Sequence, residues 1–251
     1  MVRLPGKFVW FEHFSNDIDQ ARRFYEKLVD WRVMAMPTGI EFYHLAMNGQ
    51  DGVGGFRQMP AGAQPGWMSY LSVSDVDRSY AAACAAGAKT LLAPTTFPPM
   101  GRGACLFDPT GAVFAIWSAA LGDRPDTAAP PAGDWCWNEL VTPDPEAALA
   151  FYCAVFGFTS QTKPSAQGGN YYVLLADGVP RAGIRHSPDP ALPAYWLPYL
   201  AVASVDVMQE RGEALGAEVL VPALDIPQVG RFAVLRDPCG AAVAVFTATP
   251  A

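Results

Sequence analysis

Hydrophobic and polar residues alternate over Phe8–Phe14, as a strand requires, and then recur with helical spacing over Asp17–Val29, where Ile18, Ala21, Phe24, Tyr25 and Leu28 share one face. Trp31–Met36, Glu41–Met47 and Gly52–Met59 return to strand-like patterns. The sequence of elements then restarts. Trp67–Val73 reads as a strand and Val76–Ala86 as an Ala-rich helix that stops at Gly87, a glycine suited to the end of a helix. Strands follow near Thr90, over Arg102–Phe107 and over Ala112–Trp117. Further on, helices are expected at Pro145–Val155 and at Val205–Leu215, the latter ending at Gly216. One helix for every four strands predicts an α+β fold in which each curved, mixed sheet carries helices on its outer face. The inner face is then the natural place for a ligand.

The pattern is repeated because the sequence is. Trp10–Tyr25, WFEHFSNDIDQARRFY, returns as Trp137–Tyr152, WNELVTPDPEAALAFY, at an offset of 127. Tyr43, Gly54, Trp67, Asp77, Gly101-Arg102 and Asp108-Pro109-x-Gly111 pair with Tyr172, Gly183, Trp196, Asp206, Gly230-Arg231 and Asp237-Pro238-x-Gly240 at an offset of 129. A period this long marks a duplicated domain, and a domain of roughly 120 residues can sustain its own core. The expected modules are 1–124 and 132–251, joined by a Pro/Ala/Gly-rich linker at 125–131.

Charge and cysteine content narrow the function. The first 124 residues hold 11 Lys/Arg and 11 Asp/Glu, and the remainder 6 and 13, giving a net charge of −7. An acidic chain with no basic cluster offers no footprint for a phosphate backbone, so nucleic acid is not an expected partner. No apolar run approaches the ~20 residues of a membrane helix, and the N-terminal segment lacks the pattern of a secretory signal. A cytoplasmic protein without membrane association is expected. Cys84, Cys105, Cys136, Cys153 and Cys239 form an odd set without metal-ligand spacing and are expected as buried free thiols.

The paired βαβββ units, the helix with Asp-x-x-x-Ala-x-x-Phe-Tyr and the Asp-Pro-x-Gly turn make the chain resemble the vicinal oxygen chelate superfamily of glyoxalases, extradiol dioxygenases and bleomycin-resistance proteins. The resemblance covers nearly the whole chain, twice. It implies tandem modules, seen either as a monomer with a pseudo-two-fold axis or in a homodimer. In that family a divalent metal is held by His, His and Glu on inward strand faces. The positions that match are Trp10, Met68 and Ala115 in the first repeat, and Trp137, Leu197 and Ala244 in the second. Such groups cannot hold Zn, Ni, Mn or Fe(II), so neither a metal nor another cofactor is expected.

Both repeats keep Glu12/Glu139, two residues beyond the Trp and on the same strand face, and Arg102/Arg231 in a Gly-Arg pair. A carboxylate in an aromatic cavity can serve as a general base, or it can pair with an arginine and fix the strands. Arg102 and Arg231 are the candidate partners. Trp10, Trp137, Tyr43, Tyr172, Trp67 and Trp196, together with these arginines, are candidate ligand-binding residues, although the tyrosines and Trp67/Trp196 suit a core equally well. His13 is expected on the opposite face from Glu12. The expected function is the binding of a small hydrophobic or aromatic molecule without the family metal. The alternative is a glyoxalase-like lyase or isomerase, metal-independent with Glu12 or Glu139 as base or using a non-standard metal site.

Overall fold

The computed structural model describes residues 2–37, 42–59, 62–165, 168–187, 189 and 192–249. The first repeat runs β1 (Phe8–Ser15), α1 (Ile18–Leu28), β2 (Arg32–Pro37), β3 (Phe42–Asn48), β4 (Asp51–Gln58), β5 (Gly66–Ser72), α2 (Val76–Ala85), β6 (Lys89–Phe97), β7 (Gly101–Phe107) and β8 (Val113–Ala119). The second runs β9 (Trp135–Thr142), α3 (Pro145–Phe156), β10 (Thr159–Pro164), β11 (Asn170–Ala176), β12 (Val179–His186), β13 (Tyr195–Ala201), α4 (Val205–Ala214), β14 (Glu218–Ile226), β15 (Gly230–Arg236) and β16 (Ala242–Ala248). These are the elements expected from the hydrophobic periodicity. Glu41, where the third strand was expected to begin, lies outside the described residues.

Local chemistry starts and stops the helices. Asp17 accepts from the Gln20 amide at 2.8 Å to begin α1, and Asp144 accepts from the Ala147 amide at 2.9 Å with Pro145 filling the first turn of α3. Helix α1 buries Ala21, Phe24, Tyr25 and Leu28, the stripe read from the sequence less Ile18.

Each repeat forms one mixed eight-stranded sheet, in the orders β2-β3-β4-β1-β5-β8-β7-β6 and β10-β11-β12-β9-β13-β16-β15-β14. Strand β1 is parallel to β4 and β5 to β8, and the second sheet repeats this with β9–β12 and β13–β16. Residues 120–134 carry neither helix nor strand.

Packing divides the chain differently from the sheets. One compact unit contains Met1–Trp10, Met68–Thr127 and Trp137–Trp196; the other contains Phe11–Trp67, Ala128–Cys136 and Leu197–Ala251. Each unit thus combines half of one repeat with half of the other. The recurring Phe-Tyr and Asp-Pro-x-Gly motifs are what meet inside them. In the second unit Tyr25 donates to Asp237 at 2.9 Å and receives the Trp67 indole N–H at 2.9 Å. In the first unit Tyr152 donates to Asp108 at 3.0 Å and receives from Trp196 at 2.9 Å. The aspartates also cap their own turns, Asp108 accepting from the Thr110 and Ala112 amides and Asp237 from those of Cys239 and Ala241. Gly111 and Gly240 close these turns at φ of 99° and 106°, a left-handed conformation that penalises a Cβ.

The two hubs differ at one position. His13 Nε2 lies 2.7 Å from Asp237 Oδ2 with both side chains wholly buried, while Leu140 follows Glu139 as His13 follows Glu12. Burial pushes the Asp237 carboxyl up, but His13, the Ala241 amide and the Tyr25 hydroxyl outweigh it and hold the group below its ordinary value. Without a histidine, burial dominates at Asp108 and its carboxyl is raised.

Candidate functional site

Strand alternation puts Glu12 on the face of β1 that points away from α1, because His13 packs against Tyr25 of that helix. Glu12 is 5% exposed and accepts from the Tyr43 hydroxyl at 2.8 Å and from Arg57 Nε at 3.2 Å. The Arg57 guanidinium also lies over the Tyr43 ring, 5.1 Å from its centre. The first unit has the same arrangement. Glu139, 6% exposed, accepts from Arg185 Nε at 2.6 Å and from the Tyr171 hydroxyl, which itself receives the Trp137 indole N–H at 3.0 Å. Burial, reinforced by the Glu139 charge, raises Tyr171 well above the usual phenol value and keeps it a donor.

A glycine makes room for each tyrosine. Gly55 stands opposite Glu12 and Gly183 opposite Glu139, and a Cβ there would lie 2.0 Å from the Tyr43 hydroxyl or 1.9 Å from that of Tyr171. The Gly-rich stretch of β4 therefore does two things. Val53 bulges out where Ala46 pairs with Gly54 and Met47 with Gly52, and Gly55 admits the phenol.

These geometries correct the expected pairings. The counterpart of Tyr43 is Tyr171, whereas Tyr172 donates to Glu146 of α3 at 2.8 Å on the helix side. Arg102 and Arg231 do not reach Glu12 or Glu139. Arg102 is held by Asp77, at 2.7 and 2.8 Å, and Arg231 by Asp206, at 2.7 and 2.9 Å, with Asp225 at 2.9 Å. Asp77 and Asp206 recur with their arginines at one common offset, a signal that could have paired them in advance. Arg231 lies in an open depression of about 410 Å³ with both of these aspartates on its wall, so its charge is already balanced there. Arg102→Ala and Arg231→Ala are each expected to leave ligand affinity unchanged in a titration.

Trp67 and Trp196 belong to the Tyr25 and Tyr152 hubs under the helices. Trp10 and Trp137 are part-buried, and Trp137 is held by Tyr171. The cysteines are all free; Cys105 is buried and the other four are part-exposed, a correction to the expectation that all would be buried. Burial pushes the Cys136 thiol up to about 12, where it is inert.

Arg57, Arg185 and Tyr171 escaped the sequence reading. A single offset of 129 after the first helix matches Arg57 with His186, but strand register sets Gly55 against Gly183 and so requires 128 across these strands. The shared Gly-x-Arg of Gly55-Phe56-Arg57 and Gly183-Ile184-Arg185 carried the signal.

The chain belongs to the Glyoxalase/Bleomycin resistance protein/Dioxygenase superfamily, whose family model matches residues 7–116 and 135–245. It is 34% identical over 249 residues to CFP32 of Mycobacterium tuberculosis, provisionally named a glyoxylase, covering 96% of this chain and 94% of that protein. It is 28% identical over 258 residues to the anthracycline biosynthesis protein DauV of a Streptomyces species, covering 96% and 93%. Its fold matches the Mn(II)-bound glyoxalase of Novosphingobium aromaticivorans with a TM-score of 0.69 at 16% identity, over 98% of this chain and 83% of the other.

The residues at the family's ligand positions do not fit a divalent metal. The Trp137 indole N–H is engaged by Tyr171, the Met68 sulfur lies 3.6 Å from the Cys105 sulfur, and Ala115 and Ala244 are buried methyl groups. Among the described residues, no three His, Cys, Asp or Glu side chains converge. His13 is engaged by Asp237 on the helix side. No helix among the described residues is long and apolar enough to cross a membrane.

Proposed function

We propose that the protein binds a small, flat hydrophobic or aromatic molecule without the family metal. The observation that carries this reading is the replacement of the ligand positions by Trp10, Met68 and Ala115, and by Trp137, Leu197 and Ala244, while both repeats keep a buried Glu with a Tyr and an Arg around it. A carboxylate held by a phenol and a guanidinium is a fixed hydrogen-bonding wall, suited to orienting a ligand. The relative named for anthracycline biosynthesis, DauV, supports a multi-ring aromatic ligand.

A second reading is a metal-independent lyase or isomerase in which Glu12 or Glu139 abstracts a proton next to a carbonyl. The glyoxylase name of CFP32 and the burial of both carboxylates favour it.

Titration with 1,8-dihydroxyanthraquinone, a flat three-ring hydroxyquinone, tests the first reading. Saturable binding is expected, unchanged after exhaustive dialysis against EDTA. Affinity that vanishes on chelation and returns with Mn(II) or Zn(II) would overturn it. Glu12→Gln and Glu139→Gln separate the two readings, since under the second they abolish isomerisation of the thiohemiacetal of an α-ketoaldehyde in a protein that remains folded.

A further inference from the structure

We infer that the two Glu-Tyr-Arg faces are not equivalent, and that the Glu12 face alone holds the ligand, a neutral multi-ring aromatic with a carbonyl or phenolic oxygen at its edge. This rests on the reading above and names the site and the chemistry.

Strand register brings two rows of side chains together on each face. In the second unit one row is Met34, Leu45, Gly55 and Glu12, and the next is Met36, Tyr43, Arg57 and Phe14. In the first unit the matching rows are Gln161, Val173, Gly183 and Glu139, then Lys163, Tyr171, Arg185 and Val141. The Gly, Glu, Tyr and Arg are common to both. The edge-strand positions beside them change from apolar to polar, Met34 to Gln161 and Met36 to Lys163. Two methionines, a leucine and a phenylalanine surround the Glu12 constellation, where glutamine, lysine and two valines surround that of Glu139.

Accessibility follows the same division. Met34 and Met36 are each 40% exposed and the Arg57 side chain 46%. Gln161 and Lys163 are exposed as well, but the Arg185 side chain is 15% exposed, and Val141 and Val173 are buried where Phe14 and Leu45 are part-exposed. The Glu12 face therefore presents uncovered apolar surface beside a polar wall, as a binding surface does and a finished core does not.

The apolar groups and the wall fit one ligand class. Thioethers are polarizable and flexible, so Met34 and Met36 can lie against the face or edge of an aromatic ring without a fixed shape. The half-exposed Arg57 guanidinium marks where a ligand oxygen would sit, and the Tyr43 hydroxyl, whose proton goes to Glu12, can accept from a ligand phenol. Arg57 is already balanced by Glu12 at 3.2 Å, which favours a neutral carbonyl or phenol over a carboxylate. On the other face a ring would have to cover Lys163, whose ammonium loses its hydration without a counter-charge from a neutral ligand.

The test uses the full chain and 1,8-dihydroxyanthraquinone, followed by calorimetry and fluorescence. One molecule should bind per chain. The double variant Met34→Gln/Met36→Lys, which carries the other face's residues on an exposed edge strand, should melt normally and raise Kd about tenfold or more, equivalent to ~1.4 kcal/mol. Lys163→Ala should leave Kd within about twofold, well under that ~1.4 kcal/mol. Two equal sites per chain, an unchanged Kd in the methionine variant, or loss of binding in Lys163→Ala would overturn the inference while leaving the proposed function intact. No saturable binding would defeat both. Light scattering that shows a dimer dispersed by the methionine variant at unchanged probe affinity would assign the methionines to a second copy of the chain and overturn the inference.

Discussion

Asp237→Ala is expected to destabilise the protein by about 3–5 kcal/mol, because it leaves His13 buried without its hydrogen-bond partner and strips Tyr25 and two turn amides of their acceptor. His13→Leu should cost far less, since the first unit already works with a leucine beside the equivalent of Glu12 and keeps Asp108 satisfied by Tyr152, Thr110 and Ala112. Urea denaturation of the two variants checks the ranking, and equal losses would refute it.

The same pair sets opposite pH dependences. Asp237 is lowered in the fold, so its contribution is present above the unfolded carboxyl value, about 3.9, and is lost as pH falls through the folded value. Asp108 is raised, so its contribution is complete below about 3.9 and is lost as pH rises through its higher folded value. Compared with wild type between about pH 3 and pH 6, Asp237→Asn should lose a contribution that grows with pH, and Asp108→Asn one that shrinks. In His13→Leu the Asp237 carboxyl should move upward toward the behaviour of Asp108, measurable by carboxyl carbon titration in NMR. A downward or unchanged value would show that His13 does not set it.

Gly183→Ala carries the second large effect, about 3 kcal/mol of stability, the sum of overpacking and of a hydrogen-bonded chain broken around it. The new Cβ would lie 1.9 Å from the Tyr171 hydroxyl, and moving the phenol removes the acceptor of Trp137 and a donor to Glu139. Gly55→Ala creates the same conflict at 2.0 Å with Tyr43, but there the ring is backed by the half-exposed Arg57, which can move aside. Its stability loss should be the smaller of the two. Its effect on 1,8-dihydroxyanthraquinone affinity should be the larger, because it disturbs the polar wall of the open face. Thermal melts and titration of both variants measure this, and equal melting shifts would contradict it.

Much of the fold was legible in the chain. Alternation and helical spacing located the helices and the strands, because burial of one face imposes a period that each segment carries by itself. Alternation also put Glu12 and His13 on opposite faces of β1, as the Asp237 and Tyr43 contacts bear out. The family followed from motif order in two copies. What failed was partner choice. Asp-Pro-x-Gly read as a turn, which it is, but nothing local shows that Asp237 also receives Tyr25 from the other repeat. Glu12 was rightly placed and wrongly paired, because the two extra residues of the second repeat enter as one before β11 and one before β13, and treating them as a single step hid Arg57 opposite Arg185.

The sequence by itself therefore determined the elements, their order, the duplication and the opposite faces of Glu12 and His13, but not which tyrosine of β11 shares the face of Glu139. The tertiary structure alone decided how half of each repeat packs with half of the other, which arginine neutralises which carboxylate, and how exposed each of those arginines is. The physical reason is one of range. Periodicity records an interaction with a generic apolar interior and is written within a few residues, whereas a buried charge or hydroxyl must find one partner at hydrogen-bond distance, and that partner can lie more than 200 residues away, as Tyr25 and Asp237 do.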